Sequence, residues 1–178
     1  MNKYNFLFFC FLIVLFSCKE EEIIIEGCTD SVALNYSANA NSNDGSCIYA
    51  YNIAQGIWNI NPDCEEYTIP VIGTTISLND QLPETIDVQG AGNNSLYIDL
   101  DGTQVSGDID NSGNIIVPLQ TISIDMGLGA TDVDVEGNGI IFTESSGNMN
   151  LTYSFEIEIV PGLPGISEEV ECAITLSR

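Results

Sequence analysis

The strongest constraint on the fold is an alternation of apolar and polar residues with a period of two, which recurs through residues 51–178. In the segment 151–159 every second residue is apolar, and the residues between are Thr, Ser or Glu. Successive side chains of a β-strand point to opposite faces, so this alternation is typical of a strand with one buried and one solvated face. No segment of this region shows the sustained 3.6-residue period of an amphipathic helix. The pattern therefore predicts a domain built from strands.

Turn-forming residues separate the strand-like runs of this region. Pairs such as Asn79-Asp80, Asp101-Gly102 and Ser146-Gly147 are typical of turns. Besides 151–159, the runs between such breakers are 67–78, 85–88, 96–100, 105–109, 115–124, 131–135, 139–143 and 170–176. About eight or nine short strands with close connections predict an all-β fold over residues 51–178, either an antiparallel β-sandwich or a lipocalin-like up-and-down barrel.

A hairpin turn is predicted between the runs 105–109 and 115–118. Asp108 and Asp110 have the spacing of the first half of a calcium-binding loop, but Leu119 stands where such a loop places its bidentate Glu. A strand also follows where a helix would be required. The turn interpretation therefore explains this segment better than a calcium loop does.

The first seventeen residues predict a secretory leader that contains Cys10. Residues 6–16 are almost entirely apolar, and this run is shorter than the roughly 20 residues that a helix needs to span a bilayer. The following segment, Leu15-Phe16-Ser17-Cys18, resembles the lipobox of bacterial lipoproteins. The resemblance implies cleavage before Cys18 and acylation of that cysteine by fatty acids such as palmitate. We therefore predict a leader at 1–17 and a lipid-anchored, acidic tether at 18–26.

The residues directly after the predicted lipid site are a candidate export signal. Lys19, Glu20 and Glu21 follow Cys18, and this order resembles the export signal of Bacteroidota lipoproteins. The resemblance implies an outer-membrane protein that faces the cell exterior. The alternative is a solvated acidic tether without an export role, because like charges repel and extend a linker.

Residues 27–49 form a small segment bracketed by Cys28 and Cys47. The segment resembles the "GCTD…NY…DGSC" module of exported Bacteroidota proteins. The matching residues are Gly27, Cys28, Thr29, Asp30, Ala33, Asn35, Tyr36, Ala40, Asp44, Gly45, Ser46, Cys47 and Tyr49. So short a segment buries too little apolar surface to fold unaided, and a Cys28–Cys47 disulfide is the natural constraint in an oxidising compartment.

The same segment is rich in side-chain oxygen atoms. Asp30, Asn41, Asn43 and Asp44 offer ligands of the type that calcium prefers. The spacing is not that of an EF-hand, since Asp44 occupies the position where the loop requires Gly. The two interpretations are a calcium site at these residues, or a loop that binds no cofactor and is held by its disulfide alone.

The four cysteines that remain after leader cleavage and acylation predict two disulfides. Cys172 shares the parity of the apolar residues in the run 170–176, and Cys64 lies just after the first strand of the domain. Pairing Cys64 with Cys172 would join the two ends of the domain. With Cys28–Cys47, this is the most economical of the three connectivities. The absence of closely spaced cysteine pairs argues against zinc.

Gly56-Ile57-Trp58 has two interpretations. The motif resembles the G-x-W opening of a lipocalin-like barrel, which implies that Arg178 packs on the Trp58 indole as a cation. The alternative is an ordinary core tryptophan. Residues around Trp58, Cys64 and Cys172 also resemble an exported Bacteroidota domain of unknown function, with a lipocalin-like or sandwich fold.

The net charge and the absence of histidine exclude several classes of function. The formal net charge is −23 and the chain contains no histidine. Nucleic acid is therefore a poor partner, because phosphate binding needs clustered Lys and Arg. A Ser-His-Asp or Cys-His catalytic site and a His-ligated zinc site are excluded. Carboxylate-only chemistry would need two acids facing each other across a cleft.

The main functional prediction is a non-enzymatic surface lipoprotein, a binding or scaffold module for an extracellular glycan, the matrix or an envelope protein. The alternative is a lipocalin-like carrier of a small apolar ligand. A scaffold predicts a filled core, whereas a carrier predicts a closed sheet around a cavity of several hundred Å³.

Overall fold

The computed structural model describes residues 22–69, 73, 75–100, 102–125, 130–157 and 165–178. The predicted leader, the predicted lipid site Cys18 and the predicted export residues Lys19, Glu20 and Glu21 lie outside the described residues. Within the described part of the chain, no helix has the length and apolar character that a membrane span requires.

Twelve strands and one short helix follow one another along the described chain. In order they are β1 (Glu26–Gly27), β2 (Ser42–Asn43), α1 (Ala50–Ala54), β3 (Gly56–Cys64), β4 (Tyr67–Thr68), β5 (Thr75–Ile76), β6 (Thr85–Gly92), β7 (Ser95–Leu100), β8 (Thr103–Ile109), β9 (Asn114–Asp125), β10 (Ala130–Thr143), β11 (Ser146–Ile157) and β12 (Ile166–Ser177).

Strands β3 and β6 to β12 form a closed antiparallel barrel of eight strands. Each of β6 to β11 pairs with the next strand in the chain, and β12 pairs with β3 through residues 172–177 and 59–64, which closes the sheet. The predicted all-β, antiparallel fold is confirmed. Of the two predicted architectures, the structure has the up-and-down barrel. The small hairpin β4–β5 is inserted between β3 and β6.

Several elements differ from their predicted extents. The run 67–78 contains only the two-residue strands β4 and β5. The runs 131–135 and 139–143 belong to the single strand β10, which has a register shift between Val135 and Gly137. Cys64 is the last residue of β3, and α1 was not predicted. Strand limits depend on distant pairing partners, which a local residue pattern does not contain.

Alternate residues of the barrel strands point inward and form the core. In β12 the buried residues are Val170, Cys172, Ile174 and Leu176, and the residues between them are exposed. This agrees with the parity predicted for the run 170–176. Burial of such apolar side chains is the main favourable contribution to folding, at roughly 25 cal/mol per Å² of apolar surface.

Both predicted disulfides are present. Cys28 bonds to Cys47 and closes the small N-terminal module. Cys64 bonds to Cys172, and these residues are direct cross-strand neighbours on β3 and β12. The second disulfide therefore covalently joins the first and last strands of the barrel.

The end of the barrel beside α1 is covered by a tryptophan–arginine pair. Trp58 is fully buried, and its indole N–H donates a hydrogen bond to the Ala54 carbonyl oxygen at 2.8 Å. The Arg178 guanidinium carbon lies 4.1 Å from the centroid of the Trp58 ring. Arg178 also donates hydrogen bonds to the carbonyl oxygens of Ile53 and Gln55. The predicted Trp58–Arg178 contact is thus present.

Candidate functional site

The interior of the barrel contains a cavity of about 110 Å³. Its floor includes Trp58, and its walls are inward-facing side chains from the barrel strands, nearly all of them aliphatic. Among the described residues, no Asp, Glu, Lys or Arg lines this cavity. Such a site favours an apolar guest, because a charge would lose its hydration without gaining a partner.

One side of the cavity wall is less buried than the rest. Trp58, Ile141 and Leu176 are almost completely buried. Ile60 on β3 and Met149 and Leu151 on β11 line the cavity and are half-buried. The largest group of half-buried apolar lining residues is Leu82, Ile86, Val88, Ile98, Leu100 and Val105. We call the three strands β6, β7 and β8, which carry all of this group except Leu82, the β6–β8 sheet.

The β6–β8 sheet is joined to the rest of the barrel by short ladders. On one side, β6 residues 85–88 pair with β3 residues 56–59. On the other side, only Asp108 and Ile109 of β8 pair with β9. The long ladders elsewhere, such as β11 with β12 over twelve residue pairs, hold the opposite wall more firmly. The β6–β8 sheet is thus held to its neighbours by fewer ladder pairs than the opposite wall.

A proline and a glutamine account for the short β8–β9 ladder. Pro118 lies in β9 and has no N–H to donate to β8. The Gln120 side-chain amide takes the place of the missing backbone pairing. Its oxygen accepts from the Ser106 N–H at 2.9 Å, and its nitrogen donates to the Ser106 carbonyl oxygen at 2.8 Å.

Two tyrosines, Tyr97 and Tyr153, are among the lining residues of the cavity, and the Tyr97 hydroxyl donates to Gln89. Tyr153 points inward from β11, lines the cavity and is only 3% exposed. Burial raises the pKa of its phenol to about 12, so the hydroxyl is protonated at neutral pH. The hydroxyl makes no hydrogen bond to any group in the described part of the chain.

A second concavity, an open groove of about 470 Å³, lies on the outer surface of strands β9 to β12. Its carboxylates are Asp132, Asp134, Glu156, Glu168 and Glu169. The Thr121 hydroxyl donates to Asp134 at 2.6 Å. Within the described residues, no group of three or more acidic, Cys or His side chains is placed to hold a metal ion. The groove is an acidic, solvated surface.

The four residues predicted as calcium ligands have local hydrogen-bond partners. Oxygens of Asp30, Asn43 and Asp44 accept from backbone N–H groups two residues further along the chain. Asn41 bonds to the backbone of Ile25. These bonds are typical of Asx turns and explain why the segment is rich in Asn and Asp.

The pKa values of two of these acids reflect the same bonds. The Val32 N–H, followed by the Tyr49 hydroxyl, lowers the pKa of the Asp30 carboxyl below its usual value. Hydrogen bonds from Ser46 lower the pKa of Asp44 in the same way. Both carboxylates therefore support the module's turns as anions.

The turn after β8 is the hairpin that its residues predict. The Asp110 carboxylate accepts hydrogen bonds from the N–H groups of Ser112 and Asn114, and from the Asn114 side chain. These bonds, led by the one from the Asn114 side chain, lower the pKa of Asp110. The Asp-rich segment is thus explained by the turn itself.

No protein-family model, curated protein or solved structure matches the chain.

Tyr153 and Gln120 were missed by the sequence interpretation. The alternation of 151–159 places Tyr153 on the inward face, but it does not reveal whether the hydroxyl has a partner. Pro118 inside a predicted strand is a signal that could have pointed to Gln120, because a proline in a strand marks a position where the ladder is interrupted.

Proposed function

We propose that the barrel binds one small apolar molecule in its interior, and that it does so as a non-enzymatic, lipid-anchored protein on the outer face of the outer membrane. The observation that carries the binding proposal is the apolar cavity inside a closed sheet. Side chains that line an empty cavity lack contact partners on one side, so a guest that fills the space restores dispersion contacts and removes its own apolar surface from water.

The cavity volume limits the ligand. Sites for drug-sized ligands typically have about 300–1,000 Å³, whereas this cavity has about 110 Å³. The predicted carrier cavity of several hundred Å³ is therefore larger than the one observed. An engineered apolar cavity of about 150 Å³ binds benzene, so we propose a guest of about that size. A larger guest would require outward movement of the β6–β8 sheet.

Titration with benzene tests the proposal. Trp58 is the single tryptophan of the chain and lines the cavity, so its fluorescence should change as the cavity fills. Side-chain methyl NMR signals of lining residues such as Ile141 and Ile174 should shift in the same titration. A saturable response that is common to both probes is expected. Unchanged spectra up to the solubility limit of benzene would contradict the proposal.

A matched pair of substitutions locates the binding. Ile98→Phe places a larger side chain in the wall of the cavity and should weaken benzene binding by about tenfold or more. Ile116→Phe makes the same chemical change on the outer surface, where Ile116 is 64% exposed, and should leave binding unchanged. Equal effects of the two substitutions would show that benzene binds elsewhere.

The proposed membrane attachment is tested separately. Cys18→Ala should abolish incorporation of a labelled fatty acid and release the protein from the membrane fraction. Replacement of Lys19, Glu20 and Glu21 by Ala should retain the lipid but reduce cleavage by protease added to intact cells. Full labelling of the Cys18→Ala protein would contradict the proposed anchor.

A scaffold role is the second candidate. Ile116 on β9 is 64% exposed and Phe142 on the adjacent strand β10 is 54% exposed. Each of these exposed apolar side chains could be covered by a docked envelope protein. Cross-linking in intact cells, compared between the native protein and the variant Ile116→Ser with Phe142→Ser, would identify such a partner. A glycan or matrix ligand would instead survive this double substitution.

A further inference from the structure

Tyr153 differs from the other tyrosines whose hydroxyls the structure places near a partner. The hydroxyls of Tyr49, Tyr67 and Tyr97 donate to Asp30, Glu168 and Gln89, at 2.8, 2.8 and 2.7 Å respectively. The Tyr51 hydroxyl accepts a hydrogen bond from the Gly92 N–H at 2.9 Å. Tyr153 is the most buried of these five, yet its hydroxyl has no hydrogen-bond partner among the described residues.

The unpaired hydroxyl is in contact with open space. The described residues include no side-chain polar atom that is both fully enclosed and unpaired. The Tyr153 oxygen is unpaired, so it must retain some accessible surface, and the cavity is the space that its side chain lines. The other polar lining side chains are occupied, since Trp58 donates to Ala54, Tyr97 donates to Gln89 and Ser106 is bonded to Gln120. Tyr153 is thus the free donor of the described wall.

An unpaired hydroxyl in apolar surroundings is unfavourable. A buried donor without a partner has lost its hydration and gained no hydrogen bond in return. A phenylalanine would fill the same volume without this cost. A guest that carries an acceptor would remove it, because the phenol is a strong hydrogen-bond donor when protonated.

We infer that Tyr153 donates a hydrogen bond to an oxygen acceptor on a small, uncharged and otherwise apolar ligand, such as a cyclic ketone, ester or ether. This inference rests on the proposed binding function. It names the chemical class of the ligand and the residue that selects it.

The shortage of basic residues in the protein excludes a ligand of this kind that carries a negative charge. The basic residues of the chain are Lys3, Lys19 and Arg178, and the net charge is −23. Arg178 is the described member of the three, and its guanidinium is already bonded to backbone carbonyls at the barrel end. A carboxylate in the cavity would therefore be buried without a cation, which is strongly unfavourable. A neutral carbonyl compound avoids this cost.

The experiment compares three probes that share a six-membered ring. Cyclohexanone carries the acceptor, methylcyclohexane replaces it by a methyl group, and cyclohexanecarboxylate carries a charge. Affinities are measured by Trp58 fluorescence and methyl NMR for the native full chain and for Tyr153→Phe. Tyr67→Phe is the control, because it removes a hydroxyl that is bonded to Glu168 outside the cavity lining.

The expected result is a loss specific to one probe. Tyr153→Phe should weaken cyclohexanone binding by about 2- to 12-fold, the equivalent of one net hydrogen bond. Methylcyclohexane should bind both proteins equally, and cyclohexanecarboxylate should bind neither. Tyr67→Phe should bind all three probes as the native chain does. The carbonyl stretching frequency of bound cyclohexanone should be lower in the native protein than in Tyr153→Phe, which a purely structural role of Tyr153 would not produce.

Two other outcomes would distinguish failure of the Tyr153 inference from failure of the proposed function. If methylcyclohexane binds but Tyr153→Phe leaves cyclohexanone affinity and its carbonyl frequency unchanged, the inference about Tyr153 is wrong and the cavity proposal stands. If neither neutral probe binds the native protein, both the inference and the proposed function are wrong. The variant should fold, because it removes an unpaired polar atom and keeps the aromatic ring.

Discussion

Arg178 connects three separate parts of the barrel end through one side chain. Its guanidinium lies over the Trp58 indole and donates to carbonyl oxygens at the end of α1 and at Glu144 in the β10–β11 turn. A cation over an indole face contributes roughly 0.5–2 kcal/mol, and the basic side chain is also favourable beside helix C-terminal carbonyls. The residue therefore covers the floor of the cavity.

Removal of this side chain should weaken the barrel end. Arg178→Ala should lower the free energy of unfolding by about 1–2 kcal/mol, because the cation–π contact is lost. Arg178→Lys should recover part of this loss, since it retains the charge but not the planar donor group. Urea denaturation followed by Trp58 fluorescence is the measurement. Unfolding curves of Arg178→Ala that match those of the native chain would contradict this assignment.

Tyr153 should make stability depend on pH in the alkaline range. Burial raises its pKa to about 12 in the folded state, above the value of about 10 for an exposed tyrosine. The folded state thus retains a proton that the unfolded chain releases, so stability is fully present below pH 10 and falls between about pH 10 and 12. The loss should reach about 2–3 kcal/mol. Urea midpoints measured across this range should fall less steeply for Tyr153→Phe, and identical slopes would contradict the prediction.

At the scale of elements, the strands of the barrel differ in how many residue pairs join them to their neighbours. Strands β9 to β12 pair with one another over ten to twelve residue pairs and β12 pairs with β3 over six, whereas β6 pairs with β3 over four and β8 with β9 over two. The β8–β9 ladder is short because Pro118 interrupts it and the Gln120 side chain replaces the missing backbone bonds. Separation of β8 from β9 would therefore break few backbone hydrogen bonds.

The β8–β9 turn depends on a glycine for two separable reasons. Gly113 has a φ of +87°, which L side chains rarely adopt, and a Cβ atom there would lie 2.5 Å from the Ile141 carbonyl oxygen. Gly102 has nearly the same φ, +88°, but a Cβ atom there would meet open space. We expect Gly102→Ala to lower the free energy of unfolding by about 1 kcal/mol, and Gly113→Ala to lower it by clearly more. Thermal unfolding of the two variants checks this difference, and equal losses would show that steric contact with Ile141 is unimportant.

At the scale of the whole molecule, two disulfides constrain regions of different size. Cys64–Cys172 spans 108 residues and closes the barrel, whereas Cys28–Cys47 spans 19 residues within the N-terminal module. A disulfide stabilises mainly by restricting the unfolded chain, and the effect grows with the length of the closed loop. The barrel disulfide should therefore contribute more to global stability.

Paired substitutions test this ranking. Cys64→Ala with Cys172→Ala should lower the free energy of unfolding of the barrel by about 4–5 kcal/mol in the chain-entropy model. Cys28→Ala with Cys47→Ala should loosen the module and leave the melting temperature of the barrel nearly unchanged. Calorimetry of both double variants supplies the measurement. A larger barrel destabilisation in the second variant would contradict the ranking.

The sequence by itself determined the strand class and the inward face of residues 170–176, and it favoured the pairing of Cys64 with Cys172 as the most economical of three connectivities. These follow from local alternation, residue parity and the count of cysteines, all of which can be read along the chain. The leader, Cys18 and the export residues remain predictions from the sequence. Only the tertiary structure decided that the sheet closes into a barrel, that a cavity remains inside, and that the Tyr153 hydroxyl lacks a partner among the described residues. Each of these depends on which distant residues become neighbours, and local periodicity carries no information about such contacts.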